Sequence, residues 1–596
     1  MKRIATPANI IIFLVSLFAM FRLEAQVLTS ADLSSRLEEY LQTSPWEEVY
    51  LHIDRDKYVA GENIWFSIYS IDRQTGRLSD KSAIAYVELL NPWNIPLIQA
   101  RFQLSGGRGK GNFLLPDSIS SGTYTIRAYT NWMKNFLPSN CFIQDIDIYN
   151  PFKSSVFMRK GGFMNNLKIK ETITHHEKSG SVTLTADSIF GRREKVTLKL
   201  GTGNYYAGQS GNYDMSISVT PAEVCKGSQG IEDYMLSKKP IWEDTLSGIK
   251  APLRYSYETN GHYLSGIVKY REGSKSDSSE FLFMSIQGKV AEFKYARIDT
   301  AGRFKFILPV DNKTRNLILQ PDHANNNMIL EIETSFSWLL PGSYSFKDTF
   351  SDSQLSVFSG LSFNYQAEKI YGINLRKESE VSDNSNLKAR RFYGIPEMEV
   401  FLDDYIKLPV MQEVFFELLP GVIFRSRKSG YEIKITNPLT GMFYDDSPLV
   451  MIDGVIINDL NVLADLNPEI VEKIEVVKTP YLIGDLILHG IVNVITRSGD
   501  FSNITMPEYA VLLPYRVIDE PSTFIAPDYS DKQNMMSRTP DLRNTLYWNP
   551  SMKSDRNGEA EIEFWTSDLP GIYSIIIQGV SGTGEKVSLF KSFIVR

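Results

Sequence analysis

From Val49 to the C-terminus, apolar and polar side chains alternate through one stretch after another, as in "EEVYLHIDRDKYVAGENIWFSIYSID", "SGTYTIRAYTNWM" and "EAEIEFW". A period of two sends successive side chains to opposite faces of an extended strand, so each stretch has one face to bury and one to wet. Antiparallel sheets packed face to face satisfy that pattern. Gly-x-Tyr opens three of the strands, at Gly122, Gly211 and Gly571. Glycine supplies the positive φ of a turn, and the tyrosine is expected to cover a sandwich edge with its hydroxyl at the surface.

A chain of 596 residues exceeds what one hydrophobic core can serve, since cores stop growing near about 250–300 residues. Four or five domains are expected. Residues 49–150, 151–250 and 251–340 read as successive β-sandwiches, the third containing the turn "DTAGRF" at Asp299–Phe304. Residues 341–389 are polar, end in "DNSNLK" and read as a linker. Residues 390–500 form the α/β domain, 501–540 a Pro-rich irregular linker, and 541–596 the strands of a C-terminal sandwich with a hairpin turn at "DRNG". At the N-terminus, Lys2 and Arg3 precede an apolar run from Ile10 to Phe21. That run is too short for a membrane span of about 20 residues but suits a secretory signal peptide over 1–25, cut near Ala25. A short helical lead over 26–48 follows. Export to the envelope is therefore expected, with no membrane-spanning helix in the mature chain.

The texture changes at Arg390. "MEVFLDDYIKLPVMQEVFFELLPGVIF" carries apolar residues at helical spacing through Val410, Val414, Phe415 and Leu418 and stops at Pro420-Gly421. "PLVMIDG" reads as a buried strand ending in a turn, "NPEIVEKIEVVK" as a short helix feeding a strand, and "GIVNVITRSG" as the partner strand. This succession resembles the plug domain of TonB-dependent outer-membrane receptors. "LLPGVIF" stands at the "iPGV" segment of such plugs and "PLVMIDGVIIND" at their "PL.viDGv" strand. "LNPEIVEKIEVVKTP" and "GIVNVITRSG" match the two strands that follow. The residues carrying the match are Pro420, Gly421, Asp453, Gly454, Ile474, Val476, Lys478, Gly490, Thr496 and Gly499. "YLIGDLILHG" departs from the Gly-rich link usual before the last strand. Only 97 residues follow Gly499 (596 − 499), far short of a barrel of about 22 strands. The expectation is a plug without its own barrel.

Near the N-terminus, "YLHIDRDKYVAGENIWFSIYSID" with "GNFLLPDSISSGTYTIRAY" resembles a macroglobulin-like domain of the alpha-macroglobulin family, and the middle module around "SGIVKY" and "DTAGRFKFILP" resembles carboxypeptidase-regulatory-like domains. The resemblances imply immunoglobulin-like or macroglobulin-like sandwiches beside one plug-like α/β domain, a multidomain and mainly β fold. The protease traps of the macroglobulin family carry a thioester in a motif resembling "GCGEQ". Neither "SNCFIQ" at Cys141 nor "EVCKGS" at Cys225 fits it.

No catalytic, cofactor-binding or metal-binding residues emerge. The net charge of −7 lacks like-charge blocks, so no nucleic-acid footprint is present. His175 and His176 would point to opposite faces of a strand, a poor geometry for one metal, and Asp403-Asp404 and Asp445-Asp446 lack the spacing of a calcium loop. Whether Cys141 and Cys225 pair stays open, because spacing alone does not bring their Cα atoms together. Trp132 and Trp548 are candidate partner contacts, tryptophan being enriched at binding hot spots. The functional expectation is a non-enzymatic, outer-membrane-associated or periplasmic protein acting by protein contact. Its plug-like domain would dock to a β-barrel of another chain or to another envelope partner. The alternative is an accessory ligand-binding component of a TonB-dependent uptake system.

Overall fold

The computed structural model describes residues 46–596 apart from 154–155, 161–177, 180–181, 186, 203–212, 226–228, 239–252, 272–279, 341–344, 348–349, 372–389, 429, 502–503 and 556–558. The expected signal peptide, most of the helical lead, His175 and His176, Gly211, the "DNSNLK" segment and the centre of the turn at 556–558 lie outside these residues. Within them the chain is multidomain and mainly β, with β-sandwiches around one smaller α/β unit.

The first sandwich pairs a sheet with Asn63–Asp72 between Glu47–Ile53 and Arg108–Leu114 against a larger one. The latter runs Lys57–Val59, Phe142–Tyr149, Ser121–Thr130, Ile84–Leu90, Pro96–Gln103. Alternation delivers Phe66, Phe102 and Phe113 to the space between them, where Phe66 meets both partners edge-on at 5.2 Å. The Gly-x-Tyr tyrosines depart from expectation. Tyr124 and Tyr573 are buried, and each hydroxyl donates to the carbonyl four residues earlier, Ser120 at 2.8 Å and Leu569 at 3.0 Å. The hydroxyl thus pins the turn before its own strand from inside, the arrangement of a tyrosine corner.

The second sandwich is assembled from two distant pieces. Lys178–Ser179, Val182–Thr185, Lys195–Thr202 and Ala560–Trp565 form one sheet, while Ile189–Phe190, Lys586–Val595, Gly571–Ser581, Tyr213–Pro221 and Tyr547–Lys553 form the other. The expected sandwiches over 151–250 and 541–596 are therefore one domain. Each piece supplies strands to both sheets, and their shared core joins Leu198, Ile217 and Tyr213 to Ile562, Ile577 and Phe593.

The middle sandwich repeats the device. Arg303–Leu308, His262–Tyr270 and Met328–Ile332 face a sheet of Glu292–Arg297, Phe281–Ile286, Thr314–Pro321 and Val511–Arg516. The last strand comes from the stretch expected to be an irregular linker. Its residues "VLLPYR" alternate, and Val511, Leu513 and Tyr515 pack on the core between the two sheets. The α/β unit lies in sequence between Met328–Ile332 and Val511–Arg516. The organisation is nested: the α/β unit interrupts the middle sandwich, which interrupts the second sandwich.

The expected linker over 341–389 contains a 20-residue helix, Asp352–Tyr371. Ser351 and Gln354 start it reciprocally, the Gln354 amide donating to Ser351 Oγ at 3.3 Å and the Ser351 amide to Gln354 Oε1 at 3.1 Å, a capping box. Serine and glycine weaken its intrinsic propensity, so packing decides. Phe358 and Leu361 are buried against Val59, Val224 and Phe350. Gly61 (φ +89°) admits the helix, since a Cβ there would lie 2.3 Å from the Tyr365 hydroxyl. No helix among the described residues is long and apolar enough to cross a membrane.

Candidate interaction surface

The α/β unit is built on a sheet ordered Met398–Phe401, Val471–Val477, Ile491–Thr496, Leu449–Ile452, Val455–Ile456. Its central strands are apolar on both faces, the signature of a sheet covered from both sides. Val450, Ile452, Val492 and Val494 face a helix, Met411–Leu418, and a hairpin of Val422–Arg427 and Gly430–Ile435, meeting Val414, Phe415, Phe424 and Ile433. A register shift between Val471 and Lys473 lets Val471 join Ile474 and Val476 on that face although the spacing is not two throughout. The expected helix in "NPEIVEKIEVVK" is a single 3-10 turn, Pro468–Ile470, capped by Asn467, whose side chain accepts from the Glu469 amide at 3.0 Å.

The resemblance residues fall into four groups. Asp453 (φ 48°) and Gly454 (φ 77°) form the two-residue link between Leu449–Ile452 and Val455–Ile456, a turn that demands positive φ at both positions. The Asp453 carboxylate is buried and accepts the Thr496 amide at 2.7 Å, the Thr496 hydroxyl at 2.6 Å and the Phe501 amide at 3.1 Å. It locks the hairpin to the end of the neighbouring strand. Ile474 and Val476 are core. Pro420, Gly421 and Lys478 form a clasp: Lys478 Nζ donates to the Pro420 carbonyl at 2.6 Å, beside Gly421 at φ +84°. Gly490 and Gly499 allow close approach, since a Cβ would come within 2.7 Å of Ile435 Cδ1 and 2.3 Å of Lys289 Cγ respectively.

Lys289 belongs to the middle sandwich, and the second face of the α/β sheet is sealed by that domain. Leu449, Met451, Ile456, Val477 and Ile491 pack with Phe283, Ala291 and Phe293. Strand Phe281–Ile286 sends Leu282 and Met284 into its own sandwich and Phe283 into the α/β unit. Polar contacts frame the seam. Gly288 N donates to the Asp453 carbonyl at 2.9 Å, Gln320 Nε2 to the Ile456 carbonyl at 3.0 Å, and Lys289 pairs with Glu472 at 2.5 Å. A Cβ on Gly454 would stand 2.9 Å from the Ile286 carbonyl oxygen, so this glycine serves the seam as well as the turn.

The layer on the other side of the sheet carries open apolar side chains, as do Ile395 and Leu482 elsewhere in the unit and Phe152 and Trp338 outside it. Phe416 on the helix is 82% exposed, and Leu439 and Met442 in the loop after the hairpin are 87% and 68% exposed, with Ile406 just before the helix at 83%. These side chains belong to the outermost elements of a stack that runs sandwich, sheet, helix and hairpin.

The two tryptophans are not on a surface. Trp132 is 5% exposed and stacks on Tyr257 at 4.4 Å, and Trp548 is 3% exposed with His52 against its edge at 5.2 Å. Trp132 is a packing residue, whereas Trp548, beside Tyr547 and Pro550, also lines a cleft between the first and second sandwiches. Cys141 and Cys225 are free thiols. Among the described residues no group of three metal-ligating side chains forms. Asp403 instead pairs with Arg497 at 2.6 Å and Asp446 with His489 at 2.9 Å.

A second buried polar cluster escaped the sequence. His262 Nδ1 lies 2.9 Å from Glu258 and its Nε2 2.5 Å from the Tyr515 hydroxyl, which also accepts from Arg101. Tyr86 donates to Glu258 at 2.8 Å. Burial holds the His262 imidazole below its usual range, and Glu258 opposes that shift. The cluster joins the first sandwich to both pieces of the middle one. Its members are up to 429 residues apart by number (515 − 86), and no local signal announces them.

No protein-family model matches this sequence, and no curated protein matches it. Among solved structures, Salmonella alpha-2-macroglobulin reacted with methylamine aligns over 92% of this chain and 40% of its own, at 10% identity and a TM-score of 0.24. Trypsin-activated alpha-2-macroglobulin from Escherichia coli aligns over 92% and 41%, at 11% identity and 0.24. The chain thus spans about two fifths of those proteins, and a similarity at this level decides nothing about its activity or partners.

Proposed function

We propose that this chain is a non-enzymatic protein of the cell envelope that works by protein contact, with the plug-like α/β unit as its docking element for a β-barrel of another chain. The observation that supports this reading is the position of the open apolar side chains Ile406, Phe416, Leu439 and Met442, on the outer layer of a unit whose inner face is closed by the middle sandwich. Large apolar side chains left open on an outer layer are candidates for cover by a partner. The sandwiches serve as the frame that holds this layer outward.

Charge substitution tests the reading more cleanly than deletion, because removing 390–500 would uncover Phe283 and Phe293 and create a new adhesive surface. Tagged wild-type protein and the double variant Phe416→Asp/Leu439→Asp are each used to recover partners from detergent-solubilised outer membranes. A β-barrel protein recovered with the wild type and lost with the variant supports docking. Equal recovery with both, or no barrel with either, overturns it.

A further inference from the structure

A cleft of about 300 Å³ opens between the first and second sandwiches, lined by Trp65, Lys110, Pro521, Phe524, Tyr547 and Pro550 among others. That volume is at the lower end of the range for ligand sites, about 300–1,000 Å³. Two of its walls are edge strands. Arg108–Leu114 ends the sheet that carries Trp65, and Tyr547–Lys553 ends a sheet of the second sandwich. Along the third side runs residue stretch 519–527, which has no regular secondary structure. It is held at Asp519, whose amide donates to the Arg101 carbonyl at 2.7 Å, and at Ser522, whose amide donates to Asn112 Oδ1 at 2.7 Å. Beyond these ties, Phe524 sets its ring perpendicular to Trp65 at 5.6 Å.

We infer that this cleft binds a short extended peptide segment of a partner protein, proline-containing and acidic, laid on the aromatic wall beside residues 519–527. Three observations carry the inference. Partly buried aromatic rings interleaved with prolines form the type of groove that receives Pro-rich segments, whose extended form is prepaid in entropy. Pro521, Ser522, Thr523, Phe524 and Ala526 of the chain's own stretch Glu520–Pro527 form one wall of the cleft, so this stretch lines the groove and leaves its space open. Lys110 is the only charged residue among the lining residues, and it is exposed. It favours an acidic segment, and no carboxylate in the lining opposes one.

The test is isothermal titration of the full chain with the blocked octapeptide EPSTFIAP, and separately with maltohexaose and chitohexaose. Saturable peptide binding to the wild type is expected, weakened about tenfold or more by Trp65→Ala, in line with the loss of an aromatic anchor. Lys110→Glu, on an exposed side chain that leaves the fold intact, is expected to weaken it too, with a reduced dependence on salt. Phe524→Ala removes a second ring of the aromatic wall and is expected to weaken binding as well. No peptide binding to the wild type overturns the inference. So does binding indifferent to both Trp65→Ala and Lys110→Glu, and so does binding of a hexasaccharide in place of the peptide.

Discussion

The Asp453 carboxylate takes two hydrogen bonds from one residue, the backbone amide and the hydroxyl of Thr496, at 2.7 and 2.6 Å. Together with the Phe501 amide at 3.1 Å they tie the tip of one hairpin to the exit of the neighbouring strand. Asp453→Ala leaves buried donors without an acceptor, at about 1–3 kcal/mol for each unsatisfied group, and places alanine at φ 48°. A loss of about 3 kcal/mol in urea unfolding of the α/β unit is expected. A loss under about 1 kcal/mol would show that water replaces the carboxylate.

Two glycines with similar backbone separate strain from contact. Gly441 (φ +72°) has nothing within 4 Å of a would-be Cβ, whereas at Gly454 (φ +77°) the Ile286 carbonyl stands 2.9 Å away. Gly441→Ala should cost only the left-handed penalty, about 1–2 kcal/mol. Gly454→Ala should cost more and should also raise hydrogen exchange at Gly288, whose amide bonds to Asp453. Equal costs and unchanged exchange would refute the idea that Gly454 serves the seam.

Glu368, on the helix Asp352–Tyr371, has its carboxyl pushed up to about 7, chiefly by burial and then by Glu62 and Asp541, with Arg543 and Arg55 opposing. The folded value lies above the unfolded one of 4.5. Its contribution is therefore fully present below pH 4.5 and is lost as pH rises through about 7. Glu368→Gln should be more stable than wild type by about 2–4 kcal/mol at pH 8, with the gap closing as pH falls toward 4.5. A gap that does not change with pH would refer the effect to packing. Comparing the two proteins at each pH cancels His52, whose imidazole burial holds down at about 3.

Burial pushes the Cys141 thiol up to about 11 and the Cys225 thiol up to about 12, and Thr220 partly offsets the second. Thiolate is the reactive form, so iodoacetamide at pH 8 should leave the native protein unmodified and add two groups once it is unfolded without reductant. Failure of unfolded, unreduced protein to take up label would reveal a disulfide.

What could be read in advance was local. The Asp453-Gly454 turn, the inward Ile474 and Val476, and the helix ending at Leu418 follow from φ demands and apolar spacing within a dozen residues. The helix Asp352–Tyr371 also had a local signal, the S-x-x-Q pair Ser351 and Gln354, hidden by a polar, Ser-rich texture. The nesting had none. Lys195–Thr202 pairs with Ala560–Trp565, and period-two alternation says that a strand needs a neighbour without saying which. "FLFMSI" at Phe281–Ile286 held a subtler clue, because an unbroken apolar run marks a strand covered on both sides, and its second cover was the α/β unit. Trp132 misled for a related reason: an aromatic suited to contact was satisfied by contact within the same chain.

The nesting also imposes a schedule. Tyr213–Pro221 leaves the ribosome 326 residues ahead of Tyr547 (547 − 221), the first residue of the strand that will lie beside it. At about 5–20 residues per second the early half waits on the order of half a minute, with only local pairing such as Val182–Thr185 on Lys195–Thr202, while the innermost unit is made and closes first. A stop codon before Val511 would strand two sandwiches at once, and one between 517 and 546 would still strand the second, so this chain tolerates loss of its tail far less than a row of independent beads would.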